Sequence, residues 1–166
     1  MPAAWCEVAR LALARLGIED AALAAELGNR NSELRDELRC VLPNAVEALE
    51  TLRERGVTLG LITNGSGPAQ RGKIERFALA SHFAYIGIEG EVGHGKPHPR
   101  AYETALAALG AHATTTWMVG DNLEWDVAGA QAVGIRGIWL DKHGTGLPAE
   151  ATTRPDAIVR SVADLL

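Results

Sequence analysis

The chain has 166 residues, a formal net charge of -5, 47% hydrophobic and 22% charged residues. That is enough chain to bury a real core, and the acidic balance argues against non-specific nucleic-acid binding, which needs a basic face. No apolar run approaches the ~18 residues of a membrane span. Glu7, Arg10 and Arg15 interrupt the first apolar residues, so the beginning does not read as a signal peptide. Cys6 and Cys40, without CxxC spacing, fit reduced thiols in a cytoplasmic protein.

Residues 2 to about 40 carry only helical patterns. Trp5, Val8, Ala12 and Leu16 form one stripe ending at Gly17, and further helical patches are expected near Asp20–Leu27 and Ser32–Val41. Pro43 is expected to open a helix reaching Arg55, with Val46, Leu49 and Leu52 inward and Gly56 closing it. The rhythm then alternates. Strands are expected at Thr58–Ile62, Phe83–Gly87, Thr116–Val119, Gly137–Leu140 and Ala157–Val159. Helices near 68–79, 99–109 and 123–133 connect them, and a terminal helix closes the chain. Short apolar strands separated by helices imply an α/β fold with a Rossmann-like parallel sheet and right-handed crossovers. A compositional boundary near Leu42 separates an all-helical front, 1–42, from an α/β core, 43–166.

Three segments could carry chemistry. The first strand runs into Thr63-Asn64-Gly65-Ser66-Gly67-Pro68, a hydroxyl, an amide and glycines before a helix. Backbone N–H groups there can approach an anion, although a strand-to-helix turn needs such residues anyway. Gly93-His94-Gly95-Lys96-Pro97-His98-Pro99 sets one lysine in a stiff loop, where it can hold a phosphoryl group or simply be a solvated charge. Gly90 to Lys96 has P-loop spacing, but Pro97 lacks the hydroxyl and N–H a nucleotide P-loop requires next. The third segment is Met118-Val119-Gly120-Asp121-Asn122-Leu123-Glu124-Trp125-Asp126-Val127-Ala128-Gly129-Ala130. It places two carboxylates at the carboxyl end of a strand, a donor pair suited to Mg²⁺ with room for a phosphate. Asp121 or Asn122 could instead cap the helix, leaving Asp126 on its surface. The five histidines show no ligand spacing.

In this order, the words LGLITNGSG, EVGHGKPHP and MVGDNLEWDVAGA resemble the haloacid dehalogenase-like (HAD) hydrolase superfamily over roughly residues 43–166. The resemblance implies that Thr63 and the backbone N–H groups of Asn64 and Gly65 bind the transferring phosphoryl group. It implies that Lys96 steadies the nucleophile and phosphoryl charge, and that Asp121 and Asp126 hold Mg²⁺. Dehalogenases of the family need no metal and usually carry a non-acidic residue where Asp121 stands. The phosphatase branch, acting on a small phosphorylated metabolite, is therefore expected, and a 2-haloacid dehalogenase-like hydrolase is the minor alternative. The family also opens with a strand ending in DxDx[TV], whose first Asp attacks phosphorus, and nothing before Leu42 fits it.

Asp20 and Asp36 read as caps or solvated helix residues. Ile138-Trp139-Leu140-Asp141-Lys142-His143-Gly144-Thr145 imitates the motif, but too late in the chain. We therefore expect an N-terminally truncated member whose helical front is a cap remnant and whose first central strand is missing. Its place would lie between the strands ending at Thr63 and Gly120. Such a chain could be inactive alone, a catalytically dead phosphate-binding or interaction module, or one prone to self-association through exposed sheet edges.

Overall fold

The computed structural model describes residues 2–166, which fall into two compact units, one reaching Cys40 and one spanning Val41–Leu166.

The first unit is a hairpin of α1 (Pro2–Arg15) and α2 (Ala21–Glu37). Asp20 caps α2, its side chain accepting the Leu23 N–H at 2.9 Å. The two helical patches expected for residues 20–41 are one helix. Gly28 is the point where the helices meet: a Cβ there would lie 2.4 Å from the Cys6 backbone nitrogen. That close approach also selects the buried face of α1. Leu13 is buried and Cys6 and Ala9 are half-buried, whereas Val8 and Leu16 of the expected stripe stay 53% and 75% exposed. Trp5 flanks the contact under the Arg35 guanidinium, 4.8 Å from the ring centroid, in a cation–π pair. Cys6 and Cys40 are free thiols.

The second unit opens with α3 (Ala45–Glu54), which starts two residues later than expected because Asn44 takes a left-handed conformation at φ 57°. The strands are β1 (Gly60–Thr63), β2 (Tyr85–Ile88), β3 (Trp117–Gly120), β4 (Arg136–Leu140) and β5 (Ala157–Val159). The first three lie one to two residues further along the chain than their apolar runs suggested. Between them run α4 (Gly67–Arg76), the single turn α5 (Glu89–Val92) and α6 (Pro99–Leu109). The segment after β3 is not a regular helix. It is a π-helical stretch, Leu123–Ala128, continued by α7 (Gly129–Gln131). The expected terminal helix is a short 3₁₀ turn, Val162–Leu165, closed by a capping box between Ser161 and Asp164.

All pairings are parallel, as an α/β chain with crossover helices requires. The strands nevertheless form two sheets, β1-β2 and β3-β4-β5. Thr63 stands opposite Ile88 in one, and Gly120 opposite Trp139 in the other. The break lies between β1 and β3, and both are half-buried, whereas β4, paired on both sides, is buried from Gly137 onward. Packing spans the break. Ala101 and Tyr102 of α6 join Ala130 and Ile135 in one apolar cluster that receives Ile62 from β1 and Met118 from β3. No helix among the described residues is long and apolar enough to cross a membrane.

Candidate active site

The three polar segments meet at the carboxyl ends of β1 and β3. Thr63 ends β1, and the next residue fastens the site. The Asn64 side-chain amide donates to the Lys96 carbonyl at 2.6 Å, and its oxygen accepts the Lys96 N–H at 2.8 Å. With both ends engaged, this side chain positions the lysine, and any contact from Asn64 to a phosphoryl group falls to its backbone. The Gly65 N–H, expected to face an anion, donates to Glu89 at 2.8 Å. Glu89 is a participant that the sequence reading missed. Its one signal is an acid placed directly after an apolar strand.

Lys96 precedes a cis-proline peptide, and its ammonium reaches across to Asp126 at 2.5 Å. The pair is shielded, with side chains 14% and 6% exposed. The second Asp126 oxygen accepts the Asn122 N–H at 2.9 Å. The π-helical register explains how Asp126 turns inward. Asn122 caps the start, accepting the N–H groups of Glu124 and Trp125, and the widened turn carries Asp126 toward the end of β3. Gly120 leaves the space it occupies: a Cβ at Gly120 would lie 2.2 Å from the Asp126 carboxyl carbon. The Tyr102 hydroxyl donates to the Trp125 carbonyl and ties the same turn to α6. Burial pushes the pKa of that hydroxyl well above the usual phenol range.

Asp121 is more open. Its carboxylate accepts from Lys142 at 2.7 Å, and its carbonyl accepts from the Trp139 indole at 3.0 Å. The Lys142 ammonium holds the Asp121 carboxyl below the ordinary range, with a smaller Coulombic pull from Lys96. Asp121 and Asp126 are two hard-oxygen donors beside a lysine. That set could hold a Mg²⁺ ion that keeps its remaining positions for water and phosphoryl oxygen. No group of three or more His, Cys, Asp or Glu side chains suited to a metal occurs among the described residues.

Asp141, in the imitation of the family's opening motif, belongs to its own loop. Buried, it accepts the N–H groups of Thr145 and Gly146 at 3.0 and 2.8 Å, besides the Thr145 hydroxyl. Those bonds hold its carboxyl below the usual range, Gly146 most strongly.

A profile described as hydrolase, haloacid dehalogenase-like hydrolase, matches residues 5–134. The chain belongs to that family. It is 38% identical to the phosphoserine phosphatase of Thermus thermophilus over 98% of this chain and 66% of that protein. Among solved structures it resembles a HAD phosphatase from Thermococcus onnurineus (TM-score 0.73, 26% identity, covering 97% of this chain and 86% of that one). It also resembles a 2-haloacid dehalogenase from Pseudomonas syringae pv. Tomato (TM-score 0.69, 30% identity, 99% and 69%). The chain spans about half to two-thirds of the length of the curated relatives it matches. Curated relatives of this HAD-like chain bear phosphatase names, among them a ribulose-1,5-bisphosphate 5-phosphatase of Halopiger xanaduensis, 38% identical over 69% of this chain and 48% of that protein.

Proposed function

We propose that this chain carries the phosphoryl- and metal-binding half of a Mg²⁺-dependent phosphatase acting on a small phosphorylated metabolite in the cytoplasm. The observation that carries the reading is the closed chain of contacts from Asn64 through Lys96 to Asp126, which gathers all three motifs at one place. Thr63 and the Asn64 N–H would meet a phosphoryl oxygen, and Lys96 would offset its charge. Asp121 and Asp126 would hold Mg²⁺, which supplies charge neutralisation at the transferring phosphoryl group. Glu89 fixes the loop that carries Asn64. The relatives' names support phosphate-ester substrates as a class: phosphoserine, glyceraldehyde 3-phosphate and N-acylneuraminate-9-phosphate are the substrates those names specify.

A second reading is favoured by one specific observation. Asp126 is committed to Lys96 and Asn122, and Asp141 to its own loop, so the described residues present no further carboxylate set to attack phosphorus. On the phosphatase reading the attacking carboxylate comes from outside residues 2–166. On the second reading the unit binds phosphate, or a partner, without turnover.

Hydrolysis of an aryl phosphate with and without Mg²⁺, beside Asp121→Asn and Lys96→Met, separates the two. Mg²⁺-dependent turnover lost in both variants supports the phosphatase. Lys96-dependent binding of orthophosphate without turnover supports the binding module. Neither turnover nor binding overturns both. The unpaired edges of β1 and β3 also support self-association, which native mass measurement tests; a lone monomer at high concentration counts against it.

A further inference from the structure

The two carboxylates each have their own lysine. Lys96 serves Asp126 in a shielded pair, but the partner of Asp121 comes from elsewhere in the fold, the loop after β4. Both members of that second pair are held by their backbones. Asp121 is fixed through its carbonyl to the Trp139 indole at 3.0 Å. Lys142 follows Asp141, whose N–H donates to the Val159 carbonyl at 2.8 Å and whose buried carboxylate organises the turn through Gly146. Gly144 and Gly146 take the positive φ angles, 64° and 75°, that this turn needs. The meeting of Lys142 with Asp121 at 2.7 Å is thus set by two anchored segments and is not a chance of two long surface side chains.

An ammonium at that distance occupies a lone pair that a divalent cation would use. We propose that Lys142 is the resident counter-ion of Asp121 and sets the divalent-cation affinity of the site by direct competition. The inference rests on the metal-binding reading given above. Cation entry is then an exchange, in which Lys142 leaves the Asp121 oxygen and turns into solvent. Its 39% exposure leaves it room to do so, and the anchored Asp141 keeps the loop in place meanwhile. Lys142 is a positioning residue, acting through Asp121. The same ion pair neutralises Asp121 while no metal is bound, as Lys96 neutralises Asp126.

The test is Mn²⁺ binding to the whole chain, followed by electron paramagnetic resonance of the free ion. Wild type, Lys142→Met, Lys142→Arg and Asp121→Asn are compared, with thermal melts confirming that each is folded. Removing an exposed competing ion pair is expected to tighten Mn²⁺ binding about 2- to 5-fold in Lys142→Met. Lys142→Arg is expected to keep wild-type affinity, and Asp121→Asn to weaken binding. A Lys142→Met affinity equal to or below wild type, with Asp121→Asn still weakened, overturns the competition while leaving the metal site standing. Unchanged binding in Asp121→Asn, or no Mn²⁺ bound by either wild type or Lys142→Met, overturns the metal reading itself and this inference with it.

Discussion

Lys96→Met is the most informative single change. It keeps most of the side-chain volume and removes the charge that faces Asp126 at 2.5 Å. Asp126 would remain buried with one backbone N–H, from Asn122 at 2.9 Å, as its neighbour. Removing one member of a buried ion pair costs about 3–5 kcal/mol, because the other charge is stranded out of water. The 14% exposure left to Lys96 lets some solvent reach the gap, so we take the low end, about 3 kcal/mol.

At a urea slope near 2 kcal/mol/M that is a fall of about 1.5 M in the unfolding midpoint. Tryptophan fluorescence is the suitable probe, since Trp117, Trp125 and Trp139 report on the unit from Val41 onward while only Trp5 lies in the other. The double variant Lys96→Met/Asp126→Asn removes both charges and keeps an acceptor for the Asn122 N–H, so most of the loss should return. A single variant that costs under about 1 kcal/mol, or a double variant no more stable than the single, would refute the claim that this pair is held dry and mutually dependent.

Three further outcomes are expected. Gly120→Ala drives a methyl group to 2.2 Å from the Asp126 carboxyl carbon. It should cost about 1–3 kcal/mol by overpacking, read from the same urea curve. Gly28→Ala meets the Cys6 backbone at 2.4 Å, which cannot swing aside as a side chain could. It should force α1 and α2 apart, and a normal melting curve by circular dichroism would count against that contact. The last concerns acid. Because Lys142 lowers the folded-state pKa of Asp121, the stability from this pair is complete above the unfolded value of about 3.9 and is lost as pH falls through the lower folded value. Both side chains are substantially exposed, 54% for Asp121 and 39% for Lys142, so the effect is a few tenths of a kcal/mol. Melting points of wild type and Lys142→Met should differ slightly at pH 6 and converge in strong acid. A constant gap across that range would show that Lys142 stabilises by another route.

Residue types that announce themselves locally were legible from the sequence. The apolar runs ending in Thr63 and Gly120, and the alternation with helices, fixed the α/β class because period and punctuation are local properties. Lys96 could be paired with Asp126 only through the order of the motifs, since 30 residues separate them. The structure supplies the bond. Glu89 and Lys142 escaped notice for one reason: each is an ordinary surface-type charge whose partner, Gly65 or Asp121, lies more than twenty residues away. Helical periodicity also misjudged α1. Which of two plausible stripes is buried depends on where the neighbouring helix can approach, and Gly28 decides that from outside the window being read. The π-helical register at Leu123–Ala128 has no composition of its own. It is visible only as the position that Asp126 reaches.

No backbone ladder among the described residues runs between β1 and β3. What couples the two sheets is the α6 cluster and, at the polar end, the Asn64–Lys96–Asp126 clasp. Side chains therefore do the fastening that amide-to-carbonyl rungs do elsewhere in a sheet, and side chains release singly. The amides of β1-β2 and of β3-β4-β5 are therefore expected to exchange as two cooperative units, each opening on its own schedule. A ligand gripping Thr63 on one side and Asp121 on the other bridges both units at once. Its binding free energy would appear as slower exchange throughout both sheets, far from any atom it touches.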